Sequence, residues 1–216
     1  MIRQDLVNKI WHGIEPISLN TPIIDTDIQG WWGSEHPYLL DSIVKTNAQI
    51  IVEVGVWKGK SAIFMADFLK KNNIDAVVIC VDTWLGGWDH WIDKQWFDDL
   101  KIKNGYPSIY ETFISNVKNA GVEDCILPIP IDSIGASKIL KNYNIEPDVI
   151  HLDASHDYAS VKSDLTEWWP LLKPGGYFIG DDYDPYWPGV TQAFDEFFVK
   201  EHIEIGGQAK CRIKKQ

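Results

Sequence analysis

The feature that most limits the fold of this chain is a repeated order of short apolar runs and longer helical periods. Two β-branched stretches, 49–57 and 76–84, are each followed by a segment with the composition of a helix or a connection. This order continues toward the carboxyl terminus and predicts βαβ units, in which neighbouring strands lie parallel and helices cover the sheet. We therefore expect an α/β fold with a mostly parallel sheet.

Turn and capping signals set the expected bounds of the remaining elements. Further strands are predicted at 125–132, 148–155 and 177–182, and helices at 108–120, 134–142, 158–169 and 189–201. Ser108 and Gly121 are suitable caps for the first of these helices, and the residues around Gly206 and Gly207 favour a C-terminal β-hairpin. We expect 1–47 to be a helical cover segment, 48–216 the main domain, and 85–107 a lid or acceptor-binding insertion, because it is longer than an ordinary connection.

The composition limits the partners of the chain. Its formal net charge is −11 and its acidic residues are spread along the sequence, which opposes binding to nucleic acid and to anionic membranes. No signal peptide or membrane-spanning run is recognisable. The 3 cysteines lie far apart in apolar surroundings, as expected for core residues in a reducing compartment. A cytoplasmic protein with a small-molecule partner is expected.

Polar residues recur where the predicted strands end. They are Glu53, Asp82, Asp132 with Ser133, Asp153 with His156, and Asp181 with Asp182. A single aspartate in such a place commonly belongs to a turn or a helix N-cap. Ligands of open parallel sheets, however, bind at the carboxyl ends of the strands. The recurrence of carboxylates at one edge therefore favours a functional site.

The turn after the first strand reads EVGVWKGKS, residues 53–61. Gly55 and Gly59 allow the backbone to approach a ligand closely and to open a helix whose N-terminal amides favour an anionic group. The turn lacks the dinucleotide pattern G-x-G-x-x-G, because Trp57 stands where the second glycine would be, and this argues against NAD or FAD. Asp82 is suited to accept hydrogen bonds from both ribose hydroxyls. An adenosine without phosphates fits both observations.

Four features together give the chain a family resemblance: VEVGVWKGKSAIFMA, Asp82, DASHDY and LLKPGGYFIGDDY. They resemble the class I S-adenosylmethionine-dependent methyltransferases, which implies a Rossmann-like, seven-stranded sheet with helices on both faces. More narrowly, they resemble the small metal-dependent O-methyltransferases. The macrocin type, which methylates macrolide sugars, is the nearest branch, and the catechol O-methyltransferases are a more distant pattern. The resemblance covers about residues 48–200.

The resemblance implies a role for each strand end. Implied cofactor contacts are Glu53 and Ser61 to the methionine part, with Gly55 and Gly59 in the same turn, Asp82 to the ribose, and Asp132 with Ser133 to the adenine. The implied metal ligands are Asp153, Asp181 and Asp182. Three convergent carboxylates would repel one another without a cation, and all-oxygen ligation suits Mg²⁺.

His156 stands where the catechol-type enzymes have a catalytic lysine. An imidazole beside the metal is suited to accept the proton of a substrate hydroxyl. The resulting hypothesis is that Mg²⁺, held by Asp153 and its partners, orients the acceptor oxygen, that His156 removes its proton, and that displacement yields a methyl ether and S-adenosylhomocysteine. His151 is interpreted as a core residue and Asp157 as a helix cap.

Two alternatives remain open at this stage. One is a metal-independent methyltransferase in which the aspartates are structural. The other is a non-catalytic module that binds S-adenosylmethionine and uses its surface for a protein partner, which fold analogy alone does not exclude. A nicotinamide or nucleotide-sugar enzyme is disfavoured, because Trp57 stands in the glycine turn.

Tryptophans are unusually frequent, with 11 in the chain. Four of them, Trp84, Trp88, Trp91 and Trp96, lie in or beside the predicted lid. Such residues suit a platform for a sugar or an aromatic ring, and they suit internal packing or a homo-oligomer contact equally well. Trp31 and Trp32 are further candidates for closing the same cleft.

Overall fold

The centre of the fold is a seven-stranded sheet. The computed structural model describes residues 2–18, 20–24, 26–30 and 36–216. The strands are β1 (Ile50–Val54), β2 (Val77–Asp82), β3 (Ile126–Pro130), β4 (Val149–Leu152), β5 (Tyr177–Gly180), β6 (Glu204–Gly206) and β7 (Lys210–Lys214). They lie in the order β3-β2-β1-β4-β5-β7-β6. β1 to β5 pair in parallel, whereas β7 is antiparallel to β5 and β6 to β7. The predicted mostly parallel sheet with a C-terminal hairpin is confirmed.

Helices cover both faces of this sheet, as predicted. They are α1 (Ile2–Ile10), α2 (Leu39–Thr46), α3 (Lys60–Lys71), α4 (Trp88–Ile92), α5 (Lys94–Phe97), α6 (Ile109–Ala120), α7 (Ser133–Asn142), α8 (Tyr158–Trp168) and α9 (Pro188–Phe197). One apolar core contains buried residues of α1, α7, α8 and α9, and the other contains those of α2, α3 and α6. Because the parallel strands are buried on both faces, their sequences are nearly continuous apolar runs, interrupted by Glu53 in β1 and His151 in β4.

Local backbone geometry shortens some elements relative to the sequence prediction. β1 stops before Gly55, because Gly55 and Trp57 have positive φ angles of 85° and 53°, which the extended backbone of a strand does not allow. Ser108 precedes α6 as predicted, but its hydroxyl donates to the carbonyl oxygen of Lys101 at 2.7 Å. It therefore fixes the preceding loop instead of capping the helix with its side chain.

The two segments outside the repeated units have helical parts. The predicted lid, 85–107, contains α4, α5 and a short 3₁₀ turn, Asp98–Leu100. The predicted cover segment contains α1 and α2. Across the described ranges, no helix is both long and apolar enough to span a membrane. The cysteines are buried and free, which agrees with their interpretation as core residues.

Candidate active site

A cavity of about 950 Å³ lies at the carboxyl ends of the parallel strands, the edge where open parallel sheets bind ligands. Ligand pockets commonly span about 300–1,000 Å³, so this cavity has room for a cofactor together with an acceptor. The sequence-predicted residues that line it are Gly55, Ser61, Asp82, Asp132, Ser133, Asp153, His156, Asp181 and Asp182. Glu53 and Gly59 do not line it.

The glycines of the turn after β1 are required by neighbouring protein atoms. A Cβ atom at Gly55 would collide with the carbonyl oxygen of Asp153, and one at Gly59 would lie 2.6 Å from the ring of Phe113. Both glycines also have positive φ angles, 85° and 89°, which side chains disfavour. The turn therefore packs tightly against β4 and α6, and this packing brings its backbone to the cavity.

Asp82 holds the same turn from the end of β2. Its Oδ2 accepts the backbone N–H groups of Val56 at 2.8 Å and Trp57 at 2.9 Å. Its Oδ1 accepts the N–H of Trp84 at 2.7 Å. Since a carboxylate has about four acceptor positions, Asp82 fixes the turn and retains acceptor capacity toward the cavity.

A line of buried ionisable side chains lies beside the cavity. Glu53 on β1 contacts Nδ1 of His151 on β4 at 3.0 Å, and Nε2 of His151 lies 3.5 Å from Oδ2 of Asp181. Lys210 on β7 donates to Oδ1 of Asp181. The interpretation of His151 as a hydrogen-bonded core residue agrees with this geometry. The cofactor contact of Glu53 stays a prediction, because its carboxylate faces His151.

A compact group of possible metal ligands forms where β4 and β5 end. Asp153, His156 and Asp182 each offer one ligand atom, and these atoms lie within 4.8 Å of one another. Nε2 of His156 is 2.9 Å from Oδ2 of Asp182. Carboxylate oxygens with an imidazole at this spacing suit a divalent cation such as Mg²⁺ or Mn²⁺.

Asp181 is directed away from this group, into the buried line. Its Oδ1 accepts both the ammonium of Lys210 and the backbone N–H of Asp182, the latter at 2.8 Å. Asp182 itself has a left-handed backbone, with a φ of 57°, so that the two neighbouring carboxylates diverge. A cation would have to compete with Lys210 for Asp181, and metal ligation by Asp181 stays a prediction.

The pKa shifts in the group reflect burial and the charges of neighbouring carboxylates. The pKa of Asp153 is raised, first because the surrounding protein excludes water and then because Asp182 adds a like charge, although His151 offsets part of this. Burial by itself would lower the pKa of His156, but the hydrogen bond to Asp182 and its charge outweigh burial, so the pKa is raised. A bound cation would relieve this concentration of charge.

The imidazole of His156 is held on two sides. Its Nε2 contacts Asp182, and its ring stacks on Trp187 with centroids 4.0 Å apart and planes at 24°. Asp157, next in the chain, caps α8 by accepting the N–H of Ser160 at 3.0 Å, as predicted.

The other end of the cavity lies where β3 leads into α7. Asp132 caps α7 by accepting the N–H of Gly135 at 2.8 Å. The hydroxyl of Ser133 accepts the indole N–H of Trp168 at 2.8 Å and is hydrogen-bonded to Oδ1 of Asp164. Since an indole N–H only donates, the hydrogen of Ser133 goes to Asp164.

Asp164 is a site residue that the sequence analysis missed. It lies on α8, is 5% exposed and lines the cavity. Burial is the main cause that raises its pKa to about 6, with the charges of Asp157 and Asp132 adding to the shift and Ser133 opposing it. A sequence signal existed, because Asp164 falls between Val161 and Leu165, two buried apolar residues of α8, and a carboxylate on the buried face of a helix is unusual.

Lys210 is a second missed residue. It is 5% exposed and lines the cavity, and burial lowers its pKa while the charge of Asp153 opposes the shift. A lysine that adjoins Cys211 in a short terminal strand resembles an ordinary exposed strand residue, so its sequence gives little warning of burial.

The lid tryptophans divide between packing and the cavity. Trp84 is 2% exposed, donates to the carbonyl oxygen of Trp57 at 2.8 Å and stacks on Phe113. Trp96 lines the cavity. Trp88 and Trp91 are 67% and 47% exposed and do not line it. Trp31 and Trp32 lie outside the described residues, so their predicted role is untested.

Comparison with known proteins agrees with the fold. A family model described as a methyltransferase domain matches residues 52–183. A curated relative, the uncharacterized protein R132 of Acanthamoeba polyphaga mimivirus, is 23% identical over 155 residues, which is 70% of this chain and 60% of that protein. The chain thus spans less than two thirds of the length of this relative.

Several solved structures share the fold. The O-methyltransferase NovP has a TM-score of 0.61 and 24% identity, covering 82% of this chain and 76% of that one. CalS11, a calicheamicin methyltransferase, has a TM-score of 0.60 and 19% identity, covering 82% and 75%; another structure of CalS11 names it a TDP-rhamnose 3'-O-methyltransferase. An O-methyltransferase from Bacillus cereus in complex with SAH has a TM-score of 0.55 and 16% identity over 100% of both chains.

The family match covers the glycine turn, Asp82, and the strand ends that carry Asp153 and Asp182. It includes the four features on which the predicted resemblance depended, and the sheet has the seven strands that the resemblance implied. The chain therefore belongs to the methyltransferase-domain family.

Proposed function

We propose that this protein transfers the methyl group of S-adenosylmethionine to a hydroxyl of a small molecule with the help of a divalent cation. The observation that supports this most directly is the group of Asp153, His156 and Asp182, whose ligand atoms lie within 4.8 Å of one another. The group shares one cavity with Asp82 and Ser61. Cofactor and acceptor sites of this kind must adjoin, because the methyl group moves directly between them.

The strand order gives the cofactor a direction. Asp82, at the end of β2, is the acceptor proposed for the ribose hydroxyls, and Ser61 with the glycine turn is proposed for the methionine part. Asp132 and Ser133, at the end of β3, are proposed to contact the adenine. Residues at the ends of β3, β2 and β1 would then hold the cofactor, and its methyl group would be nearest the carboxylates that follow β4.

The proposed cation fits the residues of the β4–β5 end. Asp153 and Asp182 would supply the oxygen ligands, and burial together with the like charge of Asp182 already raises the pKa of Asp153. When bound, a divalent cation supplies a Lewis acid that lowers the pKa of the acceptor hydroxyl. The protein's own contribution is to hold the acceptor oxygen in line with the methyl group and to keep bulk water away from it.

The proton of the acceptor is proposed to move to His156. Its Nε2 faces Asp182, which leaves Nδ1 as the nitrogen that accepts the proton. The acceptor oxygen then forms its bond to the methyl carbon as the carbon–sulfur bond breaks, giving a methyl ether and S-adenosylhomocysteine. Stacking on Trp187 and contact with Asp182 hold the imidazole in one orientation.

A sugar or glycosylated compound is the acceptor class that the lid favours. Trp96, Asp89 and His90 line the cavity together, which combines an aromatic face with polar groups, as sugar hydroxyls and their apolar ring faces require. CalS11, whose fold this chain shares, is named for a sugar nucleotide. This similarity supports the acceptor class and identifies no particular sugar.

The test is calorimetric titration of S-adenosylhomocysteine and of Mn²⁺, combined with methyl-transfer assays on sugar nucleotides in Mg²⁺ and in EDTA. We expect Asp182→Asn to weaken Mn²⁺ binding at least about tenfold, since losing even an outer-shell partner of a metal ligand commonly costs about 10–100-fold in metal affinity. Asp157→Asn is the matched control, because Asp157 is exposed and caps α8 outside the cavity. Absence of S-adenosylhomocysteine binding would refute the cofactor assignment.

A second candidate is metal-independent transfer. One observation that favours it is that the ammonium of Lys210 already neutralises Asp181. The other is the contact between His156 and Asp182, because a carboxylate in this position can orient an imidazole that acts as a base. Full turnover in EDTA, with Mn²⁺ binding absent, would select this mechanism. Binding of S-adenosylhomocysteine without turnover on any acceptor would instead favour a non-catalytic module.

A further inference from the structure

Asp164 forms part of the buried wall at the β3 end of the cavity. It is 5% exposed and lines the cavity together with Ser133, which is its hydrogen-bond partner. The hydrogen of Ser133 occupies Oδ1, because the Ser133 oxygen already accepts from Trp168. Since each carboxylate oxygen has about two acceptor positions, Oδ2 keeps its capacity to accept from a ligand in the cavity.

The part of the cofactor that reaches Asp164 follows from the strand order. Along the cavity, the ends of β3, β2, β1 and β4 follow one another and supply Ser133, Asp82, Gly55 and Asp153 in turn. If the transferred methyl group lies beside Asp153 and the ribose beside Asp82, the ring system attached to the ribose extends toward β3. This placement of the cofactor rests on the proposed function. It puts the adenine ring against the wall formed by α7 and α8.

The chemistry of this wall matches one edge of adenine. At this edge adenine has an amino donor at C6 and an acceptor at N1, whereas hypoxanthine has a carbonyl acceptor at C6 and a hydrogen on N1. We propose that Asp164 is the residue that makes the cofactor site specific for adenine, by accepting a hydrogen bond from this amino group. Asp164 would thereby contact the cofactor directly, with Ser133 and Trp168 fixing its orientation.

The electrostatic surroundings make an ionised Asp164 unfavourable for folding, and a purely structural role does not require a carboxylate there. The charged groups that act on it are Asp132 at the start of α7 and Asp157 at the start of α8, and both are acidic. A buried carboxylate without a cation is unfavourable, and an asparagine would accept the same hydrogen bond from Ser133. A negative acceptor that faces a donor of the ligand offsets that cost in the bound state.

The experiment compares two ligands with three forms of the protein. S-adenosylhomocysteine and S-inosylhomocysteine are titrated calorimetrically into the full-length wild type, Asp164→Asn and Glu167→Gln, above the pKa of Asp164. Glu167 is the control, because it lies on the same helix and does not line the cavity. We expect the wild type to prefer the adenine ligand at least about tenfold, the usual effect of one charged hydrogen bond. Asp164→Asn should lose that preference or reverse it, because its amide can donate to the hypoxanthine carbonyl, and Glu167→Gln should keep it.

The wild type supplies a second measurement that needs no variant. Below the pKa of Asp164, the protonated carboxyl can donate to the hypoxanthine carbonyl, so the preference for adenine should shrink as the pH falls. The proposal would be overturned if Asp164→Asn kept the preference for adenine, or if it bound both ligands more weakly by the same factor. Neither result would contradict the assignment of the cofactor site. If the wild type bound neither ligand, the proposed function would fail and this inference with it.

Discussion

At the scale of single residues, Asp164 is a carboxylate whose position opposes folding. In the unfolded chain its pKa is near the ordinary value of 3.8, whereas in the folded protein burial raises it to about 6. Between these two values the folded state binds more protons than the unfolded state, so the free energy of unfolding falls as the pH rises through this range. A shift of this size corresponds to roughly 3 kcal/mol.

Asp164→Asn should remove this penalty, since asparagine does not ionise and still accepts from Ser133. We expect the variant and the wild type to be similarly stable below about pH 4, and the variant to be more stable by up to roughly 3 kcal/mol above about pH 6. Urea unfolding of both forms across this pH range measures the difference. A difference that does not change with pH would show that folding leaves the pKa of Asp164 at its ordinary value.

Residue identity in this site was easier to predict than residue orientation. Asp153, Asp181 and Asp182 were recognisable because each follows a buried strand, and parallel strands end at one edge. That Asp181 turns toward Lys210 depends on the left-handed backbone of Asp182 and on a partner from β7. Neither is a property of the residues themselves, because the register between β5 and β7 is formed only in the folded sheet.

At the scale of elements, the lid separates tryptophans that look equivalent in the sequence. Trp84 precedes the lid and belongs to the core between α3 and α6, Trp96 of α5 faces the cavity, and Trp88 of α4 is 67% exposed. The length of the segment 85–107 predicted a lid. Its two helices are very short, so the side of each that faces the cavity is determined by packing against the rest of the fold and not by a hydrophobic period in the sequence.

Trp96→Ala and Trp88→Ala test this division of roles. If Trp96 contacts the acceptor, its removal should raise the KM for the acceptor by about tenfold, the effect of losing one aromatic contact and the area that it buries. Trp88→Ala should leave this KM unchanged, since Trp88 is exposed and outside the cavity. Steady-state kinetics with the acceptor found in the sugar-nucleotide screen measure both. Equal effects of the two substitutions would mean that the lid acts through its fold and not through Trp96.

At the scale of the whole molecule, one buried lysine joins the parts that surround the cofactor region. Lys58 lies in the glycine turn and is 1% exposed. Its ammonium contacts Asp27 of the N-terminal segment at 2.7 Å and Asp99 of the lid at 3.4 Å. Gln29 and Gly30, which follow Asp27, line the cavity. The cover segment, the turn and the lid were predicted separately, and only the folded chain shows that they share this contact.

This arrangement makes the cover segment and the lid energetically dependent on the same ion pairs. Lys58→Met keeps most of the side-chain volume and removes the charge. Asp99 then loses this cation, whereas Asp27 keeps its ion pair with Lys101 at 3.2 Å. Both carboxylates are partly exposed, at 29% and 34%, so water reduces the loss to about 1–3 kcal/mol, below the usual cost of breaking a fully buried pair. The central strands do not depend on these contacts.

Hydrogen exchange followed by mass spectrometry should therefore detect faster exchange in residues 26–30 and 98–100 together in Lys58→Met, with β1 to β5 still protected, because local opening involves only the segments that lose contacts. Lys103→Met is the control, since Lys103 forms an exposed pair with Glu111 at 2.9 Å, and such pairs contribute about 0–1 kcal/mol. Faster exchange in only one of the two segments would mean that Lys58 does not couple them. Faster exchange in both would mean that these two segments, which form walls of the cavity, open together. Entry of the cofactor and closure of the lid would then depend on the same contacts.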